Sequence, residues 1–528
     1  MNPTINQDIS DTYTEVPYHS DAFGQSSPEN LQVIATLFGL TPPPIETARI
    51  LELGCASGGN LMPFAARQEK STCVGIDLVE LQIQQGQDVL TTTGLNNLTL
   101  KTMSIEDIDA SFGQFDYIVC HGVYSWVPST VQEAILRVCK SNLSPNGVAY
   151  ISYNTYPGWK TKEIVRDAML LRASGGTTAT DKLGRAKGMV EFLHQHARTD
   201  SVLKAILNDA VPSMGKSGEH YLIHEYLELC NAPCYFKDFL QRAMHHEMAY
   251  LGEAQPQIMF ASNFGQDIAG PLMAELSHSQ VELEQYLDFV VNRTFRQTLL
   301  IHAPLTSRLN YSLGNSPIDK LHYAGLFEPL ESPGPDSTFV MALCNSTKLE
   351  LKNAAQQAGI EALHASYPAT LSFTQLVKAA QTQTKMNAKD CKAQILRLLE
   401  YLVATGAVRY RCQPVVAANQ VSKKPLALSF ERQKAMHYAI VPVRYPVANI
   451  WHEALILDPI EHCLLSTLDG KTDHAALTRH LIQSVNEGKI HFLNEGQPIS
   501  DADEIAQRSK DSILPALQRM QRKGLLIA

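Results

Sequence analysis

The 528-residue sequence predicts an α/β fold, with a mostly parallel sheet first, a mainly helical middle next and two small helix-rich units last. Three observations carry that expectation. Short apolar runs alternate with helical segments from residue 49 to about 152, the pattern of right-handed βαβ units. The first of those runs opens into a cluster of glycines. Twice towards the C-terminus an amphipathic helix stops at a glycine and is followed by a short apolar run, as at the end of a winged helix. At roughly 150 residues per domain, the length suits about three to four domains.

Taken in order, residues 1–48 form a polar and aromatic extension, with a helix at Leu31–Leu40 stopped by Thr41-Pro42-Pro43-Pro44. In the next unit, 49–172, strands are expected at Ile50–Leu53, Cys73–Ile76, Thr99–Met103, Tyr117–Cys120 and Val148–Tyr153, with a helix at Asn60–Arg67 after the first. A Gly/Thr-rich break at Ser174–Thr180 leads into a helical middle unit, 182–327. There Glu284–Thr298 reads as one long helix, with Tyr286, Leu287, Phe289 and Val290 on a common face. Pro329, Pro333, Gly334 and Pro335 interrupt regular structure over Glu328–Ser337. Residues 338–528 then hold two winged-helix-like units. One closes with Ile395, Leu398, Leu399 and Leu402, Gly406 and Ala407–Tyr410; the other closes with Ile513, Leu517 and Met520, Gly524 and Leu525–Ala528. Pro414–Pro425 links them.

Composition narrows the function classes. With 45% hydrophobic and 18% charged residues, the chain is neither collagenous nor disordered. Its 44 Lys+Arg against 53 Asp+Glu leave a net charge of −9, which argues against coating nucleic acid through bulk charge. The basic set Lys385, Lys389, Lys392, Arg397, Arg409 and Arg411 reads as a solvated helix face, so a nucleic-acid partner is not expected. No run of 18 apolar residues is present, so no membrane insertion is expected. The absence of Lys and Arg before Arg49 does not suit a signal peptide. Ten dispersed cysteines without a CxxC pair suit a reducing compartment, and a cytoplasmic location is expected. His220, His224 and Glu225 lie at helical spacing but lack a third ligand, so no metal is expected.

The chemistry concentrates in Ile50-Leu-Glu-Leu-Gly-Cys-Ala-Ser-Gly-Gly-Asn60. A strand ends at a carboxylate, turns on Gly54, Gly58 and Gly59, and enters a helix whose N-terminal amides are free to meet a ligand. A glycine loop alone would also suit a dinucleotide or no ligand at all. Glu52 discriminates: it repels a pyrophosphate but suits the amino group and sulfonium of S-adenosylmethionine. Asp77, ending the next strand, is placed for the ribose hydroxyls. Two of the three tryptophans, Trp126 and Trp159, fall in aromatic segments downstream. Together with Tyr124, Tyr153 and Tyr156 they could line a channel that desolvates an amine and attracts a cation.

The pattern Glu52-x-Gly54-x-Ala56-x-Gly58 resembles the class I S-adenosylmethionine-dependent methyltransferases, with alanine in place of the middle glycine. A narrower resemblance, to bacterial methyltransferases carrying a methyltransferase regulatory domain, rests on Val16-Pro-Tyr-His-Ser20 before the fold and on four further stretches. These are His121-Gly-Val-Tyr-Ser-Trp-Val-Pro128, Ser152-Tyr-Asn-Thr-Tyr-Pro-Gly-Trp159, the run from His224 to Phe236, and Asp288 to Gln297. Within that group the sequence looks like rickettsial protein-lysine methyltransferases acting on an outer-membrane protein. The resemblance implies a Rossmann-like domain that binds S-adenosylmethionine and releases S-adenosylhomocysteine, without a metal. It implies cofactor contacts from Glu52, Gly54, Cys55, Ala56, Gly58 and Asn60, from Asp77 and Leu78, from Ser104 and Ile105, and from His121. His121, Tyr124 and Trp126 are the catalytic candidates; Tyr18, Tyr153, Tyr156 and Trp159 are the substrate-binding ones. The implied partner is a protein with a lysine acceptor. A small-molecule methyltransferase and a regulatory protein with a vestigial cofactor site are the alternatives. Oligomeric state is not legible.

Overall fold

The computed structural model describes residues 20–216, 218–331, 338–439, 445–494 and 496–528. Seven strands form the central sheet: β1 (Arg49–Leu53), β2 (Thr72–Asp77), β3 (Leu98–Thr102), β4 (Phe115–Cys120), β5 (Leu143–Asn154), β6 (Met248–Glu253) and β7 (Phe295–His302). Their order is β3-β2-β1-β4-β5-β7-β6. The first five are parallel, and β7 runs antiparallel to both β5 and β6. The inner strands β1 and β4 are mostly apolar and, apart from Arg49 and Asp116, buried, as a parallel sheet covered on both faces requires. Chain order reverses between β1 and β4, which opens a crevice at their carboxyl ends.

The N-terminal extension supplies a helix at Pro28–Leu37, with Ser27 accepting from the Asn30 amide and Pro28 in the first turn. It starts and stops three residues before the expected Leu31–Leu40. The helix after β1 is Met62–Arg67, and Glu80–Thr93 follows β2.

The middle of the chain is mainly helical, and it also lends β6 and β7 to the sheet. The helix expected over Glu284–Thr298 is corrected: it runs Gln280–Val290, and the chain turns into β7. Of the expected face only Leu287 is buried. Tyr286 is 46% exposed and Phe289 57%, whereas Glu284 and Asp288 are buried at 1% and 0%. The reason is an ion network. Arg296 on β7 reaches Glu253 (2.8 Å), Glu284 (3.1 Å) and Asp288 (2.8 Å), and Arg293 also reaches Asp288 (2.6 Å). Pairing of this kind is what keeps buried carboxylates charged. The stretch Asp288–Gln297 is thus a lock between helix and sheet edge.

The first C-terminal unit packs the helices Ala354–Ser366, Phe373–Thr384 and Ala388–Thr405. Its short strands Leu371–Ser372 and Arg409–Arg411 pair on either side of His322–Ala324. Gly406 caps the third helix at φ +67°, where a Cβ is disfavoured. The break expected over Glu328–Ser337 begins inside a strand, Phe327–Leu330, and its residues 332–337 lie outside the described ones. The second unit has its own core, built from Leu464, Leu477, Leu481, Ile513, Leu517 and Met520. No regular helix or strand is assigned over Pro414–Pro425, which lies against this unit through the Ala418 amide and the Leu526 carbonyl (3.0 Å). Among the described residues no helix is long and apolar enough to cross a membrane.

Candidate active site

A cavity of about 500 Å³ opens at the crevice between β1 and β4. Its floor is the loop after β1. Gly54 (φ +73°) faces Val123 so closely that a Cβ would lie 2.4 Å from Val123 Cγ2. Gly59 is crossed by the N-terminal segment, and a Cβ there would lie 1.8 Å from the Ser20 carbonyl oxygen. Ser20 Oγ accepts from the Gly59 amide at 2.7 Å. Ala56, where related loops carry glycine, holds φ +49° and donates its amide to Asp77 Oδ2 at 2.8 Å. The Val79 amide reaches the other oxygen, Oδ1, at 2.9 Å. The Asp77 carboxylate is therefore oriented, and its remaining acceptor capacity lies at the cavity wall. Burial raises its pKa, opposed by those backbone hydrogen bonds.

Glu52 is 3% exposed and accepts from Asn60 Nδ2 at 2.7 Å through Oε1. Its Oε2 is buried without a hydrogen-bond partner among the described residues. Burial pushes the carboxyl up to about 7; the Asn60 hydrogen bond opposes the rise and Asp77 adds to it. An unpartnered buried carboxylate oxygen beside a cavity fits a cationic amino group, which would satisfy it.

Of the sequence-predicted residues, Glu52, Gly54, Cys55, Ala56, Asn60, Asp77, Leu78, Ser104, Ile105, His121, Trp126 and Trp159 line this one cavity. Gly58 does not; it shapes the loop at φ +80° against Leu100 and Met62. His121 bonds through Nδ1 to the Tyr150 hydroxyl (2.8 Å) and lies against the Phe23 ring (4.0 Å between centroids). Burial pushes its pKa down to about 4, so the imidazole is neutral near pH 7. Trp126 and Trp159 meet edge to face at 6.0 Å.

Three expectations are corrected. Tyr124 is buried in an aromatic cluster with Phe239 (5.2 Å) and Tyr153 (6.1 Å), off the cavity wall, and burial pushes its phenol up to about 12. Tyr153 stacks on Phe239 at 4.1 Å and bonds to Thr298 Oγ1 at 3.0 Å. Tyr156 donates to Glu163 Oε1 at 2.6 Å and its ring neighbours Tyr235. None of the three lines the cavity: Tyr124, in the turn after β4, and Tyr153, on β5, pack against Phe239, and Tyr156, just past β5, packs against Tyr235. Tyr18 lies outside the described residues.

Sequence reading missed part of the wall. Lys162 on the helix Gly158–Ala173, Tyr221, His224 and Glu225 on the helix Glu219–Tyr226, and Thr294 and Phe295 where β7 begins also line it. Lys162 sits 4.9 Å from the Trp159 ring centroid and pairs with Glu225 at 2.8 Å. Alternating apolar and charged positions on the helices Gly158–Ala173 and Glu219–Tyr226 gave no signal of a shared cavity. His224 bonds to Glu228 at 2.7 Å, and no metal-holding cluster occurs among the described residues.

An open α/β sheet with an acidic β1 terminus, a glycine loop and an acidic β2 terminus suits the methyltransferase class. Residues 50–147 match the model of a methyltransferase domain, 218–302 a predicted methyltransferase regulatory domain, and 424–525 the PKMT C-terminal winged helix domain. The chain belongs to the methyltransferases that carry this regulatory domain. It is 32% identical to the uncharacterized protein RP789 of Rickettsia prowazekii (strain Madrid E), over 98% of this chain and 93% of that one. A second uncharacterized protein of that organism, RP028, is 41% identical over 44% of this chain and 93% of its own length. The structure is similar to that of PKMT2 from Rickettsia typhi in complex with AdoHcy: TM-score 0.86, 28% identity, covering 97% of this chain and 100% of that one.

Proposed function

We propose that the protein transfers the methyl group of S-adenosylmethionine to the Nζ of lysine side chains in a protein substrate. The observation that carries this reading is the composition of the cavity. Its cofactor wall of Glu52 and Asp77 faces a second wall of Trp126, Trp159, Tyr221 and Phe295, drawn largely from beyond residue 157. A small acceptor would suit a pocket closed over Glu52 and Asp77 by the methyltransferase domain alone. Here the middle unit shares the opening, as a macromolecular acceptor requires. Similarity to PKMT2 over almost the whole chain supports the same reading.

The bound cofactor supplies an electrophilic methyl group on its sulfonium. Glu52 would hold the amino group, Asp77 the ribose hydroxyls, and Ser104 and Ile105 would border the adenine. Since displacement at a methyl group is in line, the protein contributes mainly orientation and exclusion of water. The edge-to-face pair Trp126 and Trp159 desolvates an incoming lysine, whose pKa of about 10.4 in water must fall before the nitrogen can attack. Neutral His121, with Nδ1 engaged by Tyr150, leaves its other nitrogen to orient the amine. A base held near 4 is too weak to strip an ammonium, so the proton leaves to water and His121 positions.

Incubation with methyl-labelled S-adenosylmethionine and bacterial lysate, followed by mass-spectrometric mapping, tests this. Label on lysine Nζ is expected. Label confined to small molecules, or found on other protein atoms, contradicts it.

A further inference from the structure

A side chain far along the chain reaches the cofactor loop from behind. His452 lies in a turn of the last unit, between the short strands Val447–Ala448 and Ala454–Leu455, and is buried. Its backbone sits at φ +63°, in the left-handed region that few residues other than glycine occupy. The turn is held by Asn449, whose Oδ1 accepts the amides of Trp451 and Glu453, both at 2.9 Å.

The ring spans two residues of the methyltransferase domain. Nδ1 lies 3.0 Å from Arg67 Nη2, and Nε2 lies 3.0 Å from Asn60 Oδ1. A guanidinium only donates, so Nδ1 is the acceptor and the proton sits on Nε2, which donates to Asn60. Arg67 is itself anchored by Glu29 at 3.0 Å. Burial, reinforced by Arg67, pushes His452 down to about 3, so this tautomer holds near neutral pH.

The consequence falls on the Asn60 amide. Oδ1 accepts from His452 and from the Phe23 amide (3.0 Å), and Nδ2 then points to Glu52 Oε1 (2.7 Å) and Ser26 Oγ (3.1 Å). A flipped amide would set its NH₂ against two donors and the Glu52 carboxylate against a carbonyl oxygen.

We propose that His452 is a positioning residue for the cofactor: by fixing the Asn60 amide it orients Glu52, so that the C-terminal winged-helix unit is a structural part of the cofactor site. This rests on the reading of the Glu52 cavity as the cofactor site and is independent of the acceptor.

Binding of S-adenosylhomocysteine to the full-length chain, followed by calorimetry, tests it. His452→Phe keeps the ring and removes both nitrogens; the Kd should rise about tenfold, the loss expected for one hydrogen bond coupled to a charged group. His452→Gln, which can still accept from Arg67 and donate to Asn60, should return to within about threefold of the wild type. In an Asn60→Ala background, His452→Phe should add less than about twofold, because the path is already cut. The control is Gln521→Leu, which removes a buried amide bridging the Tyr367 and Ala418 carbonyls (3.2 and 2.9 Å) within the C-terminal region. It should lower Tm while leaving Kd within about twofold. Wild-type affinity in His452→Phe would overturn the proposal. So would a full further tenfold loss in the Asn60→Ala background, or an equal loss in Gln521→Leu. A wild-type chain that does not bind S-adenosylhomocysteine would instead overturn the cofactor reading beneath it.

Discussion

The two walls of the cavity are assembled in different ways. The wall proposed for the cofactor comes mostly from short stretches after β1, β2 and β3, and its geometry is set largely by backbone, through glycine torsions and the Ala56 and Val79 amides clamping Asp77, with the Asn60 side chain holding Glu52. The wall proposed for the acceptor gathers Trp126, Trp159, Lys162, Tyr221, Glu225 and Phe295 from segments far apart in sequence, held by side-chain pairs such as Lys162 with Glu225. A wall made of backbone binds one conserved shape, the cofactor. A wall made of side chains can be altered to suit an acceptor without disturbing the other. The difference predicts that substitutions will separate cofactor binding from methyl transfer.

The largest effect is expected at the centre of the cofactor wall. Glu52→Ala should weaken S-adenosylhomocysteine binding by about a hundredfold or more in calorimetry, since it removes a charged partner from a buried site. Gly59→Ala should follow, with at least about tenfold weaker binding, because its methyl group would collide with the Ser20 carbonyl and displace the N-terminal segment.

Across the cavity, Trp126→Ala should lower kcat/KM for protein methylation at least about tenfold while cofactor Kd stays within about threefold. Equal losses in both would erase the distinction between the walls.

The pH response sharpens it further. Glu52 is raised to about 7 in the folded protein from an ordinary 4.5, so the folded state holds an extra proton between those values. Its contribution to stability is therefore greatest below pH 4.5 and declines as pH rises towards 7, by at most about 3 kcal/mol. Thermal unfolding of Glu52→Gln compared with wild type should show this component missing. An ammonium on the cofactor selects the carboxylate form, so affinity should rise from pH 5.5 to 7.5 in the wild type.

The smallest effect is expected at Ala56, whose φ of +49° glycine adopts freely. Ala56→Gly should change stability by about 1 kcal/mol or less in thermal unfolding, and affinity by less than about twofold.

These walls also differ in how legible they are in sequence. Glu52, the glycines and Asp77 are readable because strand termini and torsions are local properties, and the strand alternation places them at one crevice. The fold was legible for the same reason, from β1 to β5. Of the other wall only Trp126 and Trp159 were, because nothing local marks Lys162, Tyr221 or Phe295 as neighbours. The helix Gln280–Val290 shows how pattern misleads: its apolar residues Tyr286 and Phe289 face outwards, while Glu284 and Asp288 are buried by Arg296. Periodicity cannot see a partner on another strand. The Asn60 contact of His452 is hidden in the same way, across nearly four hundred residues.

Single-turnover methyl transfer by Trp126→Ala, loaded with saturating S-adenosylmethionine and offered the mapped protein acceptor, tests the division of the cavity most directly. Full cofactor loading with a transfer rate at least about tenfold below wild type is the predicted result. Loading that falls in step with rate, or a rate equal to wild type, would contradict it.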